Sequence, residues 1–321
     1  MKPLIRYLAG VLACAAAVAA HAQAYPNRPV RVIVPYPPGG TVDAVARVFA
    51  DNLGHQLGQT FVVENRAGAS GSIGSEAVAR APADGYTLLV NASTFAASPL
   101  LLKSLPYDIH KDFTPITNLG EVPLLVTAAP GVQAGNLREF IDLARKQPGK
   151  YFFGASAAGS ASHLAEAAIS YEAKADLPIV LYKGTGPALT DLMGGHISAV
   201  IDAVPSSLPP VKAGRTKALA VTSKERLAAL PDVPTVAESG LAGFEMVSWY
   251  GLWGPAGLPA EVVRTLRDAV VKAIGSAQVK QTLSEQAFVG KGSSPREFAD
   301  YVRAENAKYD KLIKAADIKI E

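Results

Sequence analysis

The chain has 321 residues, 49% of them hydrophobic and only 18% charged, with 28 glycines and 23 prolines in no repeat period. That composition excludes disordered and fibrous classes, and the length gives about two domains enough chain to bury a sizeable core. The formal net charge of +3 gives no electrostatic case for nucleic acid or an anionic membrane.

The start of the chain reads as a secretory signal. Met1 to Arg6 is short and positive, Tyr7 to Ala20 is apolar, and Ala22-Gln23-Ala24 is a small-x-small cleavage site. Cleavage after Ala24 and export to the periplasm are expected. The apolar stretch is too short and too rich in alanine to make a good membrane span. Removing Lys2 and Arg6 from the 31 basic residues leaves 29 against 28 acidic ones. Cys14, the one cysteine, lies inside the signal, so no disulfide, thiol nucleophile or cysteine-based metal site is expected after cleavage.

Beyond the signal, apolar runs of strand length alternate with helical patterns. Val30 to Val34 predicts a buried strand ended by Pro35, and Val42, Val45, Ala46, Phe49, Leu53 and Leu57 follow helical spacing. Phe61 to Val63 predicts a strand, Ser72 to Ala81 a short helix, and Thr87 to Val90 a strand after the Asp84-Gly85 turn. The alternation then restarts. Strands are predicted at Leu124 to Thr127, Tyr151 to Phe153, Ile179 to Tyr182, Ile197 to Ile201 and Ala218 to Val221. Helices are predicted at Leu137 to Gln147, Ser160 to Tyr171 and Pro187 to Met193. Val247 to Trp253 reads as a strand that returns to the first sheet. Helices follow at Ala260 to Ile274, at Val279 to Gln286 and from Ser294, where Ser294-Pro295-Arg296-Glu297 is a strong helix start. The expectation is an α/β chain of two lobes with parallel-type sheets flanked by helices. One lobe takes residues 25–122 plus 249–321 and the other 123–248, with crossovers near Pro123 and Val247.

Ligands of open α/β sheets sit beyond the carboxyl ends of strands, where helix N-termini present N–H groups. Four loops at such positions are rich in Gly, Ser and Thr: 35–41, 68–74, 91–94 and 154–160. Small residues admit a ligand to the backbone, and hydroxyls and free N–H groups suit a carboxylate. Turn-making and capping explain the same residues one loop at a time; four loops at corresponding strand ends favour a site. The candidate ligand-binding residues are Tyr36, Gly40, Thr41, Ala69, Ser70, Ser93, Thr94, Ser156 and Ser160, with His163 at the next helix start and Asp202 at a strand end. Lys183 is the nearest basic candidate, so neutral donors are expected to hold the ligand charge.

Enzyme motifs are incomplete. Gly154-Ala155-Ser156-Ala157-Ala158 lacks the second glycine of a nucleophile elbow, and Gly68, Gly71 and Gly74 do not have dinucleotide-binding spacing. His55, His110, His163 and His196 have no metal-ligand spacing. Neither metal nor cofactor is expected. The Trp249 to Trp253 stretch reads as core or hinge packing rather than as a binding box.

Together the motifs resemble the Bug-type periplasmic solute-binding proteins of tripartite tricarboxylate transport. They are Tyr25-Pro26-x-Arg28-Pro29, Val34-Pro35-Tyr36-Pro37-Pro38-Gly39-Gly40 with Asp43 and Ala46-Arg47, Val63-Glu64-Asn65-Arg66-x-Gly68, and Asp84-Gly85-Tyr86-Thr87-Leu88. Leu105-Pro106-Tyr107-Asp108, Tyr182-Lys183-Gly184, Asp191-Leu192-Met193-Gly194-Gly195, Lys217 to Thr222, Pro231-x-Val233-Pro234-Thr235 and Glu238-Ser239-Gly240 continue the match through the chain. The resemblance implies a two-lobed periplasmic binding protein of the Venus-flytrap, type II-like form, with two crossover segments and an interlobe site for a small carboxylate. Two departures stand out. Thr41 comes before Val42-Asp43, where the family places its Thr directly before the Asp, and Ala157 replaces a glycine of the fourth loop. The expected role is capture of a small organic mono- or dicarboxylate, aliphatic or aromatic, by a monomer that delivers it to membrane transporter subunits. A ligand-dependent sensor module contacting a kinase ectodomain needs the same cleft, and an exported hydrolase would need a competent nucleophile.

Overall fold

The computed structural model describes residues 25–102, 104–285 and 287–318; the expected signal, its cleavage point and Cys14 lie outside the described residues. The chain begins with β1 (Val30–Val34), α1 (Thr41–Leu57), β2 (Phe61–Asn65), α2 (Ser72–Ala79), β3 (Thr87–Ala92) and α3 (Thr94–Leu101). It continues through β4 (Phe113–Ala128), α4 (Leu137–Lys146), β5 (Phe153–Ala155), α5 (Ala161–Ala173), β6 (Ile179–Leu181) and α6 (Thr185–Gly194). After these come β7 (Ala199–Ala203), α7 (Val204–Lys212), β8 (Lys217–Val221) and β9 (Val247–Pro255). The chain closes with α8 (Ala260–Gly275), α9 (Ala277–Glu285), β10 (Val289–Gly290) and α10 (Pro295–Ala315).

The β-branched run of β1 is central in its sheet, with β2 and β3 parallel to it on either side. Against this sheet α1 buries Val45, Ala46, Phe49 and Leu53, the helical spacing read from sequence. A second parallel group is β6–β5–β7. Between them run the long strands. β9 lies antiparallel between β3 and β4. β4 changes partners partway: Pro123 pairs with Val247 of β9, and Leu124 pairs with Ala203 of β7. The parallel order expected from sequence therefore holds within each outer group, while β4, β8, β9 and β10 add antiparallel pairings and make the sheet mixed.

Thr222, fully buried after β8, joins the two long connections. Its N–H donates to Leu124 O at 3.0 Å, and its carbonyl accepts from Met246 N at 3.1 Å. Its hydroxyl accepts from Leu124 N at 2.9 Å and donates to Met246 O at 2.6 Å. One residue thus holds β4 at the point where it changes partners and the end of the segment leading into β9.

The core beneath β9 is aromatic. Trp253 packs on Phe95 and Phe298 with ring centroids 5.0 and 4.9 Å apart, and Trp249 sits 6.0 Å from Phe298. Gly251 lies between the tryptophans because a Cβ there would come within 2.1 Å of Phe298 Cζ. The predicted start of α10 forms a full capping box between Ser294 and Glu297, and α10 packs on α3, β4 and α5.

Other predictions shift. The strand predicted at Leu124 to Thr127 is the end of a strand of 16 residues. The strand predicted from Tyr151 forms at Phe153–Ala155, and β10 and the helices α3 and α7 were not anticipated. Among the described residues no helix is long and apolar enough to cross a membrane.

Candidate ligand-binding site

The loop after β1 is shaped by Asp43, which is 5% exposed on the first turn of α1. Its carboxylate accepts from Gly39 N at 3.0 Å, from Arg47 Nε at 3.0 Å and from Asn65 Nδ2 at 3.0 Å. Burial pushes this carboxyl up, but the bonds from Arg47, Gly39 and Asn65 outweigh it and hold the group below its usual range. Arg47 is thereby engaged. Gly40 begins α1 without any side-chain cap, which leaves the positive end of the helix to other partners.

Tyr36, Thr94 and the second loop meet through one buried network. Tyr36 Oη donates to Asn91 Oδ1 at 3.0 Å, Asn91 Nδ2 donates to Ser75 Oγ at 3.1 Å, and Ser75 Oγ donates to Gly71 O at 2.9 Å. Desolvation raises the Tyr36 pKa and Thr94 interacts with the same phenol, so Tyr36 is a neutral hydroxyl. Gly71 lets the ring approach, since a Cβ there would lie 3.1 Å from Tyr36 Oη. The residues before it form a left-handed turn, with φ +136° at Gly68, +46° at Ala69 and +52° at Ser70. Ala69 and Ser70 hold a conformation that costs a side-chain-bearing residue roughly 1–2 kcal/mol, as often occurs where a loop serves a ligand. The hydroxyl of Ser93, 2% exposed at the start of α3, has no hydrogen-bond partner among the described residues.

The fourth loop and Asp202 form a second group. Asp202 is 5% exposed. It accepts from Ser162 Oγ at 3.1 Å and from Ser206 Oγ at 3.0 Å, while Ser156 Oγ lies 3.4 Å from Ser162 Oγ. Burial pushes the Asp202 carboxyl up, and Thr185, Ala203 N–H, Ser206 and Ser162 pull against that rise. Ser160 caps α5: its hydroxyl accepts from His163 N at 3.2 Å and donates to Ala157 O at 2.8 Å. His163, 5% exposed, accepts at Nδ1 from Gly159 N at 3.1 Å. Its proton therefore sits on Nε2, and desolvation lowers its pKa.

Tyr250 lies near members of both groups. Tyr250 of β9, 2% exposed, interacts with Thr41 and Ser248 and feels the charge of Asp202, while burial raises its pKa. Gly159 lies against α3, where a Cβ would come 2.8 Å from Leu101 Cδ1 and 3.8 Å from Ala97 Cβ. Lys183 is exposed. Asn91, Ser162, Thr185, Ser206 and Tyr250 are not among the ligand-binding candidates read from sequence. The signal for Tyr250 was the alternation in β9: Ser248 and Tyr250 share one face of the strand, away from Trp249 and Trp253. A cavity of ≈ 380 Å³ lined by Leu100, Leu102, Leu105, Tyr107, His110 and Asn306 lies beside α3, and none of the candidate residues lines it. Among the described residues no group of three or more His, Cys, Asp or Glu is placed to hold a metal ion.

Residues 45–318 match the family described as tripartite tricarboxylate transporter family receptor. Protein BugT of Bordetella pertussis is 34% identical over 316 residues, covering 97% of both chains. The periplasmic binding protein BugD superposes with a TM-score of 0.85 at 33% identity, covering 92% of this chain and 100% of its own. The R. palustris protein Rpa4515 with adipate has a TM-score of 0.88 at 36% identity, covering 92% and 99%. MatC of Rhodopseudomonas palustris with bound malate has a TM-score of 0.83 at 32% identity, covering 90% and 100%. The mixed sheet with flanking helices is the two-lobed fold of periplasmic binding proteins.

Proposed function

The chain belongs to the tripartite tricarboxylate transporter receptor family, and from that membership we propose that it captures a small organic carboxylate between its lobes and delivers it to membrane transporter subunits. In this reading residues 25–122 with 249–321 form one lobe and 123–248 the other. The exported protein acts in the periplasm, as a monomer and as a binder rather than a catalyst.

The observation that carries the reading is carboxylate binding by its relatives: adipate in one and malate in another, at 36% and 32% identity. The local chemistry supports it. Tyr36, Gly40, Thr41, Ala69, Ser70, Ser93 and Thr94 line one wall, and Ser156, Ser160, His163 and Asp202 the other. The basic groups near the first loop are engaged, Arg47 by Asp43 and Arg31 by Glu64. Neutral donors and uncapped helix starts then meet the ligand charge. Charge-assisted hydrogen bonds contribute about 1.5–3 kcal/mol each and a helix N-terminus about 0.3–1 kcal/mol.

A thermal-shift screen of aliphatic and aromatic mono- and dicarboxylates tests the reading. A ligand at about 100 times its Kd adds roughly 2.7 kcal/mol of stability, and binding is then confirmed by calorimetry. No shift with any carboxylate in the panel would overturn it.

A further inference from the structure

We propose that the cleft is polarised, and that the wall around Asp202 selects ligands whose end facing it carries a hydrogen-bond donor, such as an alcohol or amine, over ligands presenting a second ionised carboxylate there. This rests on the carboxylate-capture reading above and names the ligand class for that same site.

An ionised carboxylate only accepts, and a serine hydroxyl has one proton to give. Ser162 gives its proton to Asp202 Oδ1 at 3.1 Å. Ser206 gives its proton to Asp202 Oδ2 at 3.0 Å, sharing it with Ala203 O at 2.9 Å. Since the Ser162 proton is committed, Ser156 at 3.4 Å can only donate to Ser162. Ser160 gives its proton to Ala157 O. Four hydroxyls on this wall thus point their protons into the protein. What they and Asp202 present to the cleft is lone pairs and negative charge.

Among the described residues, the groups acting on Asp202 include no basic one: they are hydroxyls and one backbone N–H, and Lys183 stands exposed. A ligand carboxylate brought against this wall would meet a buried like charge, which disfavours ionisation of both. A ligand hydroxyl or ammonium would find acceptors already oriented. Helix starts without a side-chain cap occur on both sides, α1 on one and α6 and α7 beside Asp202 on the other. The opposite wall differs in that its buried carboxylate, Asp43, is paired with Arg47 and its buried Ser93 hydroxyl has no partner among the described residues, so the ligand's ionised carboxylate belongs on that side. Tyr250 stands where the walls meet, interacting with Thr41 and close enough to Asp202 to feel its charge.

The test is calorimetry on the whole protein with pairs of equal length: succinate against 4-hydroxybutyrate, glutarate against 5-hydroxypentanoate, and adipate against 6-hydroxyhexanoate. At the length that binds best, the hydroxy acid is expected to bind at least tenfold tighter than the diacid. Asp202→Asn removes the charge and supplies an amide donor, and is expected to shrink the ratio below threefold by admitting the diacid. The wild-type ratio alone decides the matter should the variant fold poorly. A diacid that binds as tightly as its hydroxy partner, or a ratio unmoved in a well-folded Asp202→Asn, overturns the polarity while leaving carboxylate capture standing. Binding by neither series, with no other carboxylate bound, overturns the capture reading and the polarity with it.

Discussion

Glu166 is a carboxyl with no exposed surface, one oxygen accepting from Ile201 N at 3.0 Å and the other without a partner among the described residues. Burial pushes its pKa well above the usual carboxylate range, and the nearby Asp202 acts in the same direction. In the unfolded chain it ionises near about 4.3. Between that pH and the raised folded value, the native state keeps a proton that the unfolded state has lost, so this group's contribution to stability falls as pH rises. Glu166→Gln keeps an acceptor for Ile201 and removes the titration. The Tm of the variant relative to wild type is expected to rise steadily between pH values of about 5 and 8, both above the ordinary carboxylate value. A difference that stays constant in thermal unfolding would mean that Glu166 is ionised in the native protein. Ser93 gives the opposite kind of test. Its hydroxyl is already unpartnered, so Ser93→Ala should leave stability unchanged or slightly raised, yet weaken carboxylate binding roughly tenfold or more through loss of a charge-assisted bond. Lys183→Ala, changing an exposed and strongly hydrated charge, should move the Kd less than about threefold; calorimetry separates the two.

At the scale of elements, the junction held by Thr222 is the most consequential. Thr222→Val keeps the shape and both backbone bonds but leaves Leu124 N–H and Met246 O without the hydroxyl. An unsatisfied buried group costs about 1–3 kcal/mol, so denaturant unfolding should show a loss of roughly 2 kcal/mol, and Thr222→Ser should recover most of it. The sequence made some elements plain and hid others, for physical reasons. The β-branched run of β1, the spacing of α1 and the Ser294 capping box are local signals, and the structure contains all three. Helix α3 buries Thr94, Phe95, Ala96, Ala97 and Ser98 and carries Pro99, so it has neither an amphipathic period nor a clean helix composition. Helix α7 carries Pro209 and Pro210 and reads as a turn. The first part of β4 is interrupted by Pro115, Gly120 and Pro123, and its register shifts between Pro115 and Thr117 and between Asn118 and Gly120; bulges carry the strand through these breaks. In the candidate site, small polar loops and Asp202 were legible by residue type. Of the partners of Asp202, Ser206 is only four residues on, but Ser162 and Thr185 lie on two other helices that only tertiary packing brings to it.

At the scale of the whole molecule, the fourth loop and α3 meet away from the point where β4 changes partners. Gly159 rests against Leu101 and Ala97, and α10 reaches from α3 to α5. Leu101→Ala thins this contact between α3 and the fourth loop. An apparent affinity scales with the fraction of molecules in the competent state, so the variant should raise the Kd several-fold while barely changing the Tm of the free protein. Calorimetry beside thermal unfolding checks this, and an unchanged Kd would show that the contact plays no part in closure.

The place of β9 has a consequence for the order in which the chain can be completed. β9 separates β3 from β4, yet it consists of residues 247–255. The strands of the other group, with the end of β4, all lie between residues 124 and 221. A chain that emerges from its N-terminus therefore makes β1 to β3 first and finishes them last. Until residue 247 arrives, β3 keeps an unpaired row of backbone donors and acceptors, the kind of edge on which strands of other molecules add. The inserted half can close meanwhile. The open flank of β3 is thus the surface that any folding assistant has to shield, and the arrival of Trp249 and Trp253 in their pocket marks the moment it is no longer needed.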